Sequence, residues 1–170
     1  MLALLDTSQN LDQCAAEIGC DVEQLLTPLT RYRLRRPHAR FAIDNGAYSE
    51  FNERAFMSLL AREYERREQC LFVCAPDVVG SFDKTLALFN EWKERLNDWP
   101  RAFVLQDGLQ ISLVPWNDIA AVFVGGTNKF KGASVTWECL KAAKTMGKWV
   151  HIGRVNNPNR YNYFYGLADS

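Results

Sequence analysis

The chain has 170 residues, a length that suits one domain with a buried core. Hydrophobic residues make up 48% and charged residues 24%, which excludes a disordered chain. Lys plus Arg and Asp plus Glu both number 20, so the formal net charge is zero. That excludes a histone-like polycation but leaves room for a local basic patch that binds nucleic acid.

Short apolar runs alternate with longer amphipathic stretches. In chain order, Leu2–Leu5 predicts a strand, and 11–18 a short helix stopped by Gly19. Leu25–Leu29 predicts a second strand, followed by an Arg-rich segment over 31–40. Phe41–Ile43 is a third strand. The stretch 52–69 carries Phe56, Leu59, Leu60 and Tyr64 at helical spacing. Leu71–Ala75 is a strand, and Ser81 is placed to cap a helix over 82–96. Ala102–Leu105 and Ala120–Val124 are strands. A helix over 134–146 ends at Gly147, and the strand Trp149–Ile152 follows. Pro158 opens a last helix over 158–165, and Tyr165–Ala168 reads weakly as an eighth strand.

Apolar runs of this size suit strands buried on both faces, and their alternation with helices predicts a parallel α/β fold. Eight strand candidates point to a compact, abbreviated (β/α)8 barrel over 1–170 that ends after the eighth strand; the alternative is an open parallel sheet. No apolar run approaches the ~18 residues of a membrane span. The N-terminus lacks the basic region and apolar core of a secretory signal, so a cytoplasmic protein without a membrane partner is expected. The cysteines are Cys14, Cys20, Cys70, Cys74 and Cys139, without Cys-x-x-Cys, and the histidines are His38 and His151. They predict free buried thiols, no disulfide framework, no zinc site and no cofactor.

Polar residues cluster just after the apolar runs: Asp44-Asn45-Gly46-Ala47-Tyr48, Pro76-Asp77, Gln106-Asp107-Gly108, Gly125-Gly126, Gly153-Arg154 and Asp169. In parallel α/β folds the C-terminal strand ends converge on one mouth, where ligands bind. Any one of these residues could simply terminate a strand. Six such clusters in a row argue for a site.

The order of these motifs resembles the tRNA-guanine transglycosylases and their short DNA-acting relatives, the deazapurine DNA-modification proteins. Asp44-Asn-Gly-Ala-Tyr48 resembles the family's Asp-Ser-Gly-Gly-aromatic motif, and Val104-Leu-Gln106-Asp-Gly108 resembles its Val-Gln-Gly-Gly. Val124-Gly125-Gly126 resembles a Gly-Gly turn, and Tyr165-Gly-Leu-Ala-Asp169 the segment that carries the nucleophile. The resemblance runs from about Phe41 to the end. It implies a (β/α)8 barrel that cleaves the N-glycosidic bond of a nucleobase and exchanges guanine for a 7-deazaguanine-type base. Asp169 would be the nucleophile and Asp44 the general acid/base. Asp77, Gln106 and the Gly125-Gly126 backbone would read the base, with Tyr48 stacked on it. Replacing Asp169 with Asn is then expected to abolish cleavage.

Asp107 stands where the family has Gly, adding a carboxylate that could alter base preference or place a water. Arg154 could contact the base or phosphate, or pair with a carboxylate. Arg31, Arg33, Arg35, Arg36 and Arg40, with Lys129 and Lys131, are candidate phosphate contacts, against the alternative of a solvated loop. The family's zinc-binding insertion is not visible, which favours DNA over tRNA as partner, with a free nucleobase as co-substrate and a homodimer as a further expectation. A target base in a duplex must first be flipped out. The chain stops one residue past Asp169, which reads as a truncated or unusual end. The alternatives are a hydrolytic DNA glycosylase, acting in repair or against phage, and a non-catalytic nucleic-acid-binding accessory subunit.

Overall fold

A computed structural model describes residues 1–5, 13, 16, 17, 19, 21–31, 39–155 and 158–170. Among the described residues seven strands form one all-parallel sheet in sequential order: β1 (Ala3–Leu5), β2 (Val22–Leu26), β3 (Phe41–Ile43), β4 (Cys70–Cys74), β5 (Arg101–Leu105), β6 (Ala121–Val124) and β7 (Trp149–Ile152). Helices with described bounds are α1 (Glu53–Glu63), α2 (Phe82–Trp92), α3 (Asn128–Lys131), α4 (Ser134–Thr145) and α5 (Pro158–Phe164). The sheet curls into a half-barrel. This is the parallel α/β architecture the patterning predicts, compatible with a TIM-like or an open α/β fold.

Alternation along each strand sorts residues into two cores. Phe41, Ile43, Val73, Phe103, Leu105, Val122, Val124, Val150 and Ile152 face outward, against Phe56 and Leu60 of α1, Phe89 of α2 and Leu140 of α4. Ala42, Phe72, Cys74, Ala102, Val104 and Ala121 face the concave side, with Phe123 and Trp149 packed on them. Phe41 pairs with Cys70 but Ile43 pairs with Val73, so β4 carries one extra residue. This bulge turns Phe72 and Cys74 inward.

Several expectations shift. The second strand spans Val22–Leu26, not 25–29, because Gln24 is buried within it. Helix α1 runs into a 3-10 turn over Tyr64–Gln69. Ser81 precedes α2 but makes no side-chain cap; Thr85 Oγ1 instead donates to the Ser81 carbonyl at 2.8 Å. Residues 165–167 form a turn, not an eighth strand. Beyond it, the Asp169 N–H donates to the Val150 carbonyl at 2.9 Å and the Ile152 N–H to the Ser170 carbonyl at 2.9 Å. The Leu2 N–H donates to the Asp169 carbonyl at 2.7 Å. The last two residues thus lie between β7 and the start of β1. Of the helix expected over 11–18, Gln13, Ala16 and Glu17 are described and helical; the rest lies outside the described residues. Among the described residues no helix is long and apolar enough to cross a membrane.

Candidate functional site

The concave face opens into a cavity of about 590 Å³ at the C-terminal ends of the strands. Its walls follow from alternation. Asp44 continues the inward register of Ala42, Gln106 that of Ala102 and Val104, and Gly125 that of Ala121 and Phe123. Lower down, His151 packs between Phe72 and Phe123, with ring centroids 5.4 and 4.7 Å away. Burial, aided by the charge of Lys131, pushes its pKa down to about 3, so the imidazole is neutral.

At the rim, Asp77 is the best-held group. Asn45 Nδ2 donates to Asp77 Oδ1 at 2.8 Å, and Gln106 Nε2 donates to Asp77 Oδ2 at 2.6 Å. Both amides are buried and fixed from behind. Asn45 also donates to the Ala75 carbonyl at 2.7 Å and accepts the Ala47 N–H at 2.7 Å. Gln106 Oε1 accepts the Gly80 N–H at 2.8 Å. Burial raises the pKa of Asp77 and the nearby charge of Asp44 raises it further, while the Asn45 and Gln106 bonds oppose the rise. Asp44 Oδ1 accepts the Gly46 N–H at 2.8 Å, which shapes the turn that presents Tyr48. Tyr48 is exposed, and the Arg154 guanidinium lies 3.1 Å from its ring centroid. Since these residues follow β3 and β7, their contact spans the mouth.

The Gly125-Gly126 turn is glycine for steric reasons. A Cβ on Gly125 would lie 2.6 Å from Gln106 Nε2. Gly126 has φ +68, and its Cβ would lie 2.5 Å from Phe130 Cδ1 and 2.8 Å from Asp107 Oδ2. Asp107 is not among the residues that line the cavity. Its Oδ1 accepts Thr127 Oγ1–H at 2.6 Å and its Oδ2 the Thr127 N–H at 2.9 Å, which ties down the β6–α3 turn. These bonds hold its pKa low despite a desolvation contribution in the other direction.

The structure brings Asp44, Tyr48, Asp77, Gln106, Gly125, Gly126 and Arg154 to one cavity. It does not bring Asp169 there. Asp169 Oδ2 accepts the Val150 N–H at 2.9 Å, and Oδ1 meets Lys144 Nζ at 2.6 Å in the last turn of α4. That is the N-terminal end of β7, away from the mouth. The neighbouring Ser170 side chain takes the inward direction, 2.9 Å from Trp149 Nε1 and 3.0 Å from His151 Nδ1.

Of the expected phosphate contacts, Lys129 is exposed beside the mouth, and Arg31 is exposed after β2. Arg40 lies at the opposite end, before β3, with Nε 3.9 Å from Glu23 Oε1. Arg33, Arg35 and Arg36 lie outside the described residues. Lys131 is the main surprise: it is buried, donates to the Gly153 carbonyl and lines the cavity. Asn45 was legible only as part of its motif; its place right after Asp44 is the signal that identifies it. Cys70, Cys74 and Cys139 are buried free thiols, as the sequence predicts; Cys14 and Cys20 lie outside the described residues. Comparison with protein families, with characterised proteins and with solved structures finds no match for this chain.

Proposed function

We propose that this chain acts on the N-glycosidic bond of a purine base in nucleic acid, with DNA as the first substrate to test, as its resemblance to the transglycosylases implies. One observation carries the reading. A carboxylate, Asp77, is clamped by two buried amides beside a second carboxylate, Asp44, at the open rim of the cavity. A guanine-type base offers adjacent N–H donors on one edge, and a fixed carboxylate accepts them. Tyr48 supplies a face on which the base can stack. As the base leaves, positive charge builds at the sugar C1′, and Asp44 is the carboxylate at hand to stabilise or capture it. Asp77 is shifted toward its protonated form and serves as the acid/base partner. The chemistry thus rests on Asp44 and Asp77, in place of the expected Asp169 and Asp44. The position of residues 169–170 between β7 and β1 supports a closed (β/α)8 ring, in which they occupy the eighth place.

Asp169's place at the far end favours a second reading, a module that binds a nucleobase without cleaving it. The deciding assay uses DNA carrying labelled guanine, with and without added 7-deazaguanine bases, followed by alkali. Release that needs the incoming base and leaves the backbone intact means exchange. Release without it, leaving alkali-labile sites, means hydrolysis. Either activity should vanish in Asp44→Asn. DNA binding with no release overturns the enzyme reading and leaves the binding module.

A further inference from the structure

The cavity has a second pole. Opposite Asp44 and Asp77, on the side of β6 and β7, stand Lys131 and Arg154. Lys131 is only 6% exposed, and among the described residues its ammonium donates one hydrogen bond, to the Gly153 carbonyl. Among the described residues no carboxylate pairs with Lys131 or Arg154. The charges that act on Lys131 are those of two cations, Arg160 and Arg154. Arg160 donates to Asn128 Oδ1 at 2.6 Å and to the Arg154 carbonyl at 3.0 Å, which ties it to the start of α3 and to the turn after β7. Arg154 is the one described non-glycine residue with positive φ, at 63°, a conformation that costs energy and aims its side chain across the mouth.

A buried ammonium flanked by guanidinium groups destabilises the fold unless an anion joins it. Burial, then the charges of Arg160 and Arg154, lower its pKa to about 8, so it remains largely cationic at neutral pH. A cavity of about 590 Å³ falls within the size range of sites that enclose a small ligand. We propose that Lys131 and Arg154 hold a phosphate group inside the cavity, so that the chain binds a whole nucleotide rather than a bare base. The phosphate half stands on the geometry of Lys131 and Arg154; only the identity of the base rests on the function proposed above.

The test compares deoxyguanosine, its 5′- and 3′-monophosphates, a short single-stranded oligonucleotide and inorganic phosphate by calorimetry. Lys131 Nζ is followed by nuclear magnetic resonance. At least one phosphate-bearing ligand should bind about tenfold or more tightly than the nucleoside and shift the Lys131 signal. A preference for the monophosphate identifies free nucleotides as ligands, and a preference for the oligonucleotide identifies the phosphodiester. The gap should largely vanish in Lys131→Met and shrink in Arg154→Gln. Arg154 is exposed, so the second variant carries the test if the first does not fold. Equal affinity for nucleoside and phosphate esters, or a gap that survives Lys131→Met, overturns the proposal, as does an unmoved Lys131 signal with every ligand. If inorganic phosphate moves Lys131 while the nucleoside does not bind, the phosphate site stands and the purine reading falls.

Discussion

Replacing Gln106 with Leu keeps the side-chain volume nearly constant and removes both polar contacts of a buried amide. The bond lost to Asp77 Oδ2 is charge-assisted, at 2.6 Å, and the bond lost from the Gly80 N–H is neutral, at 2.8 Å. Hydrogen bonds to charged groups contribute about 1.5–3 kcal/mol and neutral ones about 1 kcal/mol, so the variant should lose roughly 2.5–4 kcal/mol. For a domain of this size that lowers Tm by roughly 5–15 °C. Urea and thermal unfolding measure both. The loss should also depend on pH. The pKa of Asp77 is raised in the fold above its ordinary 3.8, so its favourable contribution is present at low pH and is lost as pH rises through the folded value. Removing a donor that favours the ionised form raises that value further. The deficit of the variant is therefore largest near neutrality and shrinks as Asp77 becomes protonated. A deficit below about 0.5 kcal/mol at neutral pH, or one equal at about pH 7 and about pH 4, would refute the clamp.

Three further outcomes follow from the same geometry. Asp169→Asn removes a partly exposed pair with Lys144 and keeps an acceptor for the Val150 N–H. It should change stability by less than about 1 kcal/mol and leave base release intact; lost release in a folded variant would return Asp169 to the reaction. Gly125→Ala drives a Cβ to within 2.6 Å of Gln106 Nε2 and 2.9 Å of Val104 Cγ1. It should destabilise by about 1–3 kcal/mol and weaken ligand binding, and wild-type behaviour in both would contradict the tight turn. The folded-state pKa of Lys131 is about 8 against an ordinary 10.5, so the unfolded chain binds more protons in between. Stability should rise with pH across that window and do so less in Lys131→Met, as urea titration at several pH values can test.

The strands were legible because a parallel strand covered on both sides leaves an apolar run in sequence. Phe41–Ile43 and Trp149–Ile152 show this without any shift in boundaries. The start of β2 was hidden because Gln24, polar by type, is buried in the middle of the strand. The mouth was legible as a place, since polar residues follow each run. Their roles were not, because a role depends on which side of the chain a residue takes. Gln106 and Asp107 are neighbours, yet Gln106 continues the inward register to Asp77 while Asp107 turns aside to Thr127. Lys131 reads as a surface cation beside Lys129. Only the one-turn length of α3 and the position of the Gly153 carbonyl carry it inward.

The same alternation accounts for Asp169 and for the polarity of the cavity. Adjacent residues in an extended segment face opposite sides, so with Ser170 pointing at Trp149 and His151, Asp169 must point out toward Lys144. Below the rim, the inward positions of β4 to β7 hold Phe72, Cys74, Ala102, Val104, Ala121, Phe123 and a neutral His151. No ion is paired at that depth among the described residues, and the low pKa of His151 keeps its imidazole uncharged at neutral pH. Among the described residues the acidic side chains that line the cavity lie beyond β3 and β4, and the basic ones beyond β6 and β7, with Arg154 exposed and Lys131 buried. A ligand with a flat heterocycle and an anionic group matches this layout: the ring can cover the apolar floor while its polar edge and its charge stay at opposite sides of the mouth. On this reading the Tyr48–Arg154 contact must open to admit the ligand, and Arg154 exchanges an aromatic face for a phosphate as it does so.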